Sequence, residues 1–415
     1  MCVTKESLKI FSCIFSSSCK NIAHNREYNN MFFFYLTGGK ISCKILRMCR
    51  IGAIKSKKKL HPSIALKLMR SQQEGHDDSG FAFVMQDMGG HFENYKDLPL
   101  LSMAATVEGT RLAEDILREI GFTRVMQWSP DINNKKGLKI EAMPNYIFEV
   151  LQYPKSYKHA AKDEKEELLI DTAIKLRKTL EETNSGYIYS FWPDTLTLKE
   201  IGSPRDIGTY FNLWEENNDL TSSIITAQCR QNTNYDIVRY AAHPFFLEGY
   251  TGLVNGENTF YEKNKSYQQS LYKGYLGFES DSQCLLYTLH YIHKRLKWPL
   301  KYFKHTITPL GYDEILKRPD SEILLRIKAS LAHLEINGPN TLLAVTPEKE
   351  LLCVCDSKKL RPIVVGRNQD TVIMTSEVVG INDLMPDRNI EDDIYPNEHE
   401  TIVVRDDLTV ERWQQ

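Results

Sequence analysis

Met48-Cys49-Arg50-Ile51-Gly52-Ala53-Ile54 sets a cysteine directly after a methionine and follows it with a short alternating run that reads as a β-strand. If translation starts at Met48, ordinary removal of a methionine ahead of a small residue leaves Cys49 at the N-terminus. A cysteine in that place carries a thiol and a free α-amine, whose unperturbed pKa of about 7.7–8.0 suits a general base. Nucleophile and base then belong to one residue. The same heptapeptide also fits a buried cysteine in a strand, and these residues alone leave both readings open.

Composition changes at this point in the chain. Residues 1–47 hold Cys2, Cys13, Cys19 and Cys43, four of the nine cysteines, with five of the seventeen Phe and no Asp. Their seven Lys or Arg against two Glu give +5, whereas the remaining 368 residues, with 45 basic against 52 acidic side chains, come to −7. The apolar stretch from Leu8 to Phe15 is broken by Lys9, Ser12 and Cys13, and no small-x-small cleavage site follows, so a secretory signal is not indicated. Residues 1–47 are expected to be a disordered leader, from a mis-assigned start or a propeptide. The 415-residue whole, 42% apolar and 26% charged at −2, has the make-up of an ordinary globular protein. It excludes a disordered or collagen-like chain. No run of about 18 apolar residues spans a membrane, and the charge balance does not suit a dedicated nucleic-acid binder. Five cysteines after residue 48, without a pairing pattern, fit a reducing cytoplasm.

Downstream of the heptapeptide, Pro62 to Gln72 reads as a helix, and Glu74-Gly75-His76-Asp77-Asp78-Ser79-Gly80 leads into a strand, Phe81 to Met85. Together these segments resemble the start of the class II glutamine amidotransferases, whose Cys-Gly-Ile start and Arg-Gly-Tyr-Asp-Ser-Ala-Gly turn are similar to Cys49–Ile51 and Glu74–Gly80. Two departures are visible: Glu74 stands where the family usually has arginine, and Arg50 where it usually has glycine.

A second set of segments carries the resemblance further. The strand-like run Ser222 to Gln228 ends in Cys229-Arg230-Gln231-Asn232-Thr233, similar to the family's His-Thr-Arg-Trp-Ala-Thr; His243-Pro244-Phe245, Leu253-Val254-Asn255-Gly256-Glu257 and Glu279-Ser280-Asp281-Ser282 follow. Arg230 lies 13 residues before His243 and 25 before Asn255, as in the glucosamine synthase members; Arg239 is a rival whose spacing to Asn255 is too short.

The resemblance implies a role for each position. Arg230 would grip the α-carboxylate of L-glutamine through two parallel hydrogen bonds, which lysine could not reproduce. Asp281 would pair with its ammonium, and Thr233 would complete the substrate site. Cys49 sulfur would attack the side-chain amide, and the Asn255 side-chain NH2 with the Gly256 N–H would hold the developing oxyanion. The bland readings are a hairpin turn for Asn255-Gly256 and, for Ser280 or Asp281, a cap on a helix running to Lys297.

The remaining segments complete the organisation. Residues 90–221 exceed the connection found in simpler family members and are expected to form an inserted α+β subdomain, with helices Val107–Ile120 and Asp163–Glu182, a strand Tyr187–Trp192, and a helix from the Gly202–Gly208 segment through Leu213. Leu342–Thr346 and Leu351–Cys355 form a hairpin, and Asp356–Pro362 is similar to the family's Asp-Pro-Asn-Gly-Leu-Arg-Pro. Cys353 with Cys355, and His290 with His293, are poor metal evidence without further ligands. The Lys55–Lys59 cluster is expected to be a solvated loop. The implied fold is α+β, the four-layer αββα sandwich of N-terminal-nucleophile hydrolases, over residues 48–415.

The resemblance further implies a glutaminase subunit that passes ammonia to a separate, flavin-dependent synthase subunit. It is closest to the amidotransferase component of archaeal-type glutamate synthase, with FMN and iron–sulfur clusters on partner chains and no cofactor on this one. The rivals are another acceptor, as in N-methylglutamate-forming systems, and a non-catalytic regulatory subunit.

Overall fold

The computed structural model describes residues 32–37, 40–45, 49–72, 77–133, 144–216, 219–231, 239–272 and 277–414. Its contacts divide the chain into residues 1–47 and 48–415. In the first unit, β1 (Phe32–Thr37) and β2 (Lys40–Ile45) pair antiparallel, with Phe32 opposite Ile45. The expected absence of order therefore does not extend to these twelve residues.

In the second unit the chain runs through β3 (Arg50–Leu60), α1 (Ser63–Arg70), β4 (Phe81–Gly90), β5 (Pro99–Ala105), α2 (Val107–Ile120), β6 (Thr123–Trp128), β7 (Asn145–Gln152), α3 (Lys162–Glu182) and β8 (Gly186–Pro193). Next come β9 (Thr195–Glu200), α4 (Pro204–Tyr210), β10 (Leu220–Cys229), β11 (Phe245–Leu247), β12 (Tyr250–Gly256), α5 (Tyr261–Leu271) and α6 (Gln283–His290). The last part holds α7 (Lys301–Ile307), α8 (Tyr312–Ile315), α9 (Ser321–Ser330), β13 (Asn340–Val345), β14 (Leu351–Cys355), β15 (Val364–Arg367), β16 (Thr371–Thr375), α10 (Val378–Leu384), β17 (Thr401–Val404) and β18 (Val410–Trp413).

These strands build a mixed helix-and-strand fold with three antiparallel sheets. One has the order β15-β16-β3-β10-β4-β9, another β11-β12-β13-β14-β17-β18, and a four-stranded sheet β6-β7-β5-β8. Alternation along the strands decides which side chains meet. Ile51 and Ala53 of β3 and Met374 of β16 share one buried cluster with Leu253, Leu343 and Cys353 of the second sheet. Ile54, Phe83 and Ile225 take the opposite side of the first sheet, where Leu66 and Leu68 of α1, Ile207 of α4 and Ile381 of α10 cover them. On the second sheet, Leu342, Ala344 and Val354 pack with Leu285 and Leu289 of α6 and Phe303 of α7.

The stretch 90–221 divides in two. β5 to β8 with α2 and α3 form a sheet whose outer side is closed by its own cluster, including Leu117, Leu169 and Leu176. β9 then pairs with β4 in the first sheet, and Ile207 of α4 joins the core around Leu66. Helix α2 begins where the sequence says, with the Thr106 hydroxyl accepting the Gly109 N–H at 3.1 Å. α4 stops at Tyr210, three residues short of expectation.

The Lys55–Lys59 segment is corrected: it is strand, not solvated loop. Pairing with β10 on one side and β16 on the other satisfies its backbone, and each lysine finds an acceptor at its tip. Lys55 is 3% exposed and meets Asp406 at 3.2 Å; Lys58 meets Asp370 at 2.7 Å and Lys59 meets Asp87 at 2.5 Å. His290 and His293 also have packing partners: His290 lies 3.0 Å from Glu248 and 2.5 Å from the Tyr272 hydroxyl, and His293 takes the Tyr250 hydroxyl at 2.8 Å. Among the described residues no group of three or more His, Cys, Asp or Glu could hold a metal ion. Nor is any helix among them long and apolar enough to cross a membrane.

Leu68 is fully buried between β3 and α10, so Leu68→Ala leaves a cavity in the layer that supports β3. Urea denaturation should show a loss of about 2–5 kcal/mol; a loss below about 1 kcal/mol would mean that α1 does not brace the strand.

Candidate active site

Cys49 stands one residue before β3. Arg50 pairs with Cys229 in the β3–β10 register, which brings Cys49 to the end of β10 where Arg230 and Gln231 follow. The Gln231 N–H donates to Cys49 Sγ at 3.2 Å. Arg50, a departure from the family pattern, is buried and meets Glu377 at 2.5 Å. The turn after β16 also holds the start of β3, through Ile51 N–H to Ser376 Oγ at 3.1 Å and Ser376 N–H to Ile51 O at 3.0 Å.

Burial pushes the Cys49 thiol above its ordinary pKa; the Gln231 N–H, Arg230 and Arg361 pull it back in part, and Asp77 adds to the rise. Arg230 is influenced in return. Burial lowers its pKa, while Cys49, Asp77 and Asp281 act to hold its proton. The Cys49 sulfur and the carboxylates of Asp77 and Asp281 thus lie within electrostatic reach of the Arg230 guanidinium. Arg239, the rival, is engaged elsewhere. Its guanidinium forks onto the fully buried carboxylate of Glu200, Nε to Oε1 at 3.0 Å and Nη2 to Oε2 at 2.9 Å.

Asn255 closes β12 and is tied to the same end of the fold by a buried knot. Gln228, opposite Ile51 in register, donates from Nε2 to Val254 O at 3.0 Å and accepts the His243 N–H at 2.6 Å. His243 Nδ1 receives the Val254 N–H at 3.0 Å and the Gln228 amide at 2.9 Å. With Nδ1 an acceptor, the ring proton belongs on Nε2, which faces Ser280 Oγ at 3.3 Å. Burial, with Lys199 and Arg230 adding to it, keeps His243 well below its ordinary pKa and therefore neutral.

The Asn255 side chain is 1% exposed, and its Nδ2 has no acceptor among the described residues. A buried amide donor of this kind is costly unless something else binds it. At Gly256 any side chain is excluded, because a Cβ would sit 2.1 Å from the Pro339 carbonyl oxygen. Asp281 accepts the Asn258 N–H at 2.7 Å and the Ser280 and Ser282 hydroxyls at 3.2 and 3.3 Å.

The capping expectation at Ser280 or Asp281 changes accordingly. α6 begins at Gln283 without a side-chain cap, the Asp281 carboxylate reaches back to the Asn258 loop, and the helix turns into a π segment, Tyr291–Arg295. Thr233 and Glu74 lie outside the described residues. Sequence reasoning missed Arg361 and Asp77 as influences on Cys49. The only signal for either was its place in a family-like segment, Leu360-Arg361-Pro362 and Asp77-Asp78-Ser79-Gly80.

Comparison with known proteins adds the following. No protein-family description matches the chain. An uncharacterized protein of Archaeoglobus fulgidus is 28% identical over 227 residues, 54% of this chain and 59% of that protein. Two solved structures each align with 88% of this chain and 49% of their own at 13% identity. They are glutamine phosphoribosylpyrophosphate amidotransferase from B. subtilis complexed with ADP and GMP, TM-score 0.42, and the allosteric regulatory enzyme of purine biosynthesis, TM-score 0.44. A glutamine aminotransferase class-II domain protein from Silicibacter pomeroyi aligns over 80% of this chain and 98% of its own, at 11% identity and TM-score 0.28. The chain thus spans less than two thirds of the curated relative and about half of the first two structures. TM-scores below 0.5 do not establish a common fold.

The electrostatics of Cys49 give a pH-dependent expectation. In the chain that retains Met48, iodoacetamide labelling of the Cys49 peptide should rise with pH to a midpoint above the usual thiol value of about 8.5. Arg361→Ala should move the midpoint higher and Asp77→Asn lower; a midpoint below the usual value would contradict this charge balance.

Proposed function

We propose that this chain is a class II glutamine amidotransferase subunit that hydrolyses L-glutamine to glutamate and ammonia through a Cys49 thioester. The observations that carry the reading are the mutual charge influence of Cys49, Arg230 and Asp281, and the buried amide donor of Asn255, which has no acceptor among the described residues. The shared core of the two six-stranded sheets, with helices on their outer sides, supports reading the fold as the four-layer αββα sandwich of N-terminal-nucleophile hydrolases.

In this reaction Arg230 takes the glutamine carboxylate and Asp281 the ammonium, which sets the side-chain amide before Cys49. The thiol proton passes to the Cys49 α-amine, freed by removal of the preceding residues, and the sulfur adds to the amide carbon. Asn255 Nδ2 and the Gly256 N–H stabilise the oxyanion. Collapse breaks the C–N bond, the α-ammonium returns its proton to the departing nitrogen, and ammonia leaves a thioester that water, activated by the same amine, cleaves to glutamate. The raised thiol pKa is consistent with the need for that base.

Ammonia goes, in this proposal, to a separate synthase subunit, most simply that of glutamate synthase, where FMN and iron–sulfur clusters reside on partner chains. The cytoplasm is the matching compartment.

Intact mass should show the active protein beginning at Cys49. Cys49→Ala should abolish glutamine hydrolysis, and Asn255→Ala should lower kcat by about 10²–10³-fold. Full activity in a homogeneous protein that retains residues 1–48 would rule out the N-terminal amine.

A further inference from the structure

Helix α3 and strand β8 lie far from the site in sequence, yet each contacts a segment that carries it. Arg177, on α3, donates from Nη2 to the Glu279 carboxylate, two residues before Asp281, while its Nε holds Glu181 at 2.6 Å. The close approach needs Gly277, where a Cβ would lie 1.5 Å from the Arg177 Nη2.

The turn that receives Arg177 is stiff. The N–H groups of Glu279 and Ser280 both donate to Gln283 Oε1, at 2.6 and 3.0 Å, and Gly277 O accepts the Tyr287 hydroxyl at 2.7 Å. A displacement of Glu279 is therefore transmitted to Asp281 rather than absorbed between them. The second contact runs through Tyr187 on β8, which has the Arg177 guanidinium 5.8 Å from its ring centroid and stacks on Tyr240 at 4.9 Å and 20°. Tyr240 precedes Ala241, Ala242 and His243, so the same part of the insertion braces the segment that delivers His243. Burial opposes charge on Arg177, but Glu279 keeps the pKa of the guanidinium above the ordinary value.

We infer that Arg177 is a positioning residue for recognition of the amino-acid ammonium, holding the Glu279–Asp281 turn from the 90–221 insertion. The insertion is then part of the apparatus that sets glutamine affinity, and a partner that moves α3 alters that affinity without touching Cys49. This inference rests on the glutaminase reading.

The test is protection of Cys49 from iodoacetamide by L-glutamine, together with steady-state glutamine hydrolysis. Arg177→Met should raise the half-protecting concentration and KM about 10- to 100-fold, the loss expected of a charge-assisted contact, with kcat and the labelling rate without glutamine unchanged. Arg177→Lys should recover part of this. Arg177→Glu and Glu279→Arg should each be impaired, and the double variant should return to within about threefold of wild type. Normal protection in Arg177→Met, or kcat falling while KM stays fixed, overturns the positioning role. Absence of protection in the wild-type protein overturns the glutaminase reading itself, and this inference with it.

Discussion

The site depends most on the hydrogen-bonded knot of Gln228, His243 and Val254. These side-chain and backbone groups join β10 of one sheet to β12 of the other at the end where Cys49, Arg230 and Asn255 emerge. Every bond in it is buried, so each is strengthened by low dielectric and costly to leave unmade. A charged imidazole could not serve, because Nδ1 must accept two donors. The surroundings meet this need: burial, Lys199 and Arg230 keep His243 neutral, while Lys199 itself, pushed down to about 7, is anchored on Ala242 O at 2.9 Å.

Burial shifts the pKa values of the two reactive partners in opposite directions. It disfavours the Cys49 thiolate and the Arg230 cation alike, and each is relieved by the charge of the other. An incoming amino acid would supply a carboxylate to Arg230 and an ammonium to Asp281, and its amide oxygen an acceptor to Asn255. In the proposed reaction, the unpartnered donor at Asn255 and the opposed influences on Cys49 are both answered by a zwitterion carrying an amide.

Much of this was legible in sequence, for local reasons. The alternation around Ile51, the strand-like run Ser222 to Gln228, the helix Val107–Ile120 and the hairpin of β13 and β14 are properties of short segments. Arg230 was preferred to Arg239 by spacing, and the structure gives the physical counterpart: Arg239 is committed to Glu200. Lys55–Lys59 misled because a run of charge looks solvated, whereas neighbours as distant as Asp370 and Asp406 supply the acceptors. Asp281 looked like a cap because its partner, Asn258, belongs to another element. Arg177, Arg361 and Asp77 act across long sequence separations, and no local pattern marks such contacts. The division of 90–221 between its own sheet and the first sheet is likewise a matter of which strand β9 pairs with.

The central claim is that the amide carbon of glutamine reaches Cys49 Sγ. It is tested most directly by treating the protein with a diazoketone analogue of glutamine, whose electrophilic carbon takes the place of the amide, and mapping the adduct by peptide mass spectrometry. The account predicts one adduct, on the peptide that begins with Cys49, suppressed by L-glutamine. An adduct on another cysteine, or none at all, would contradict it.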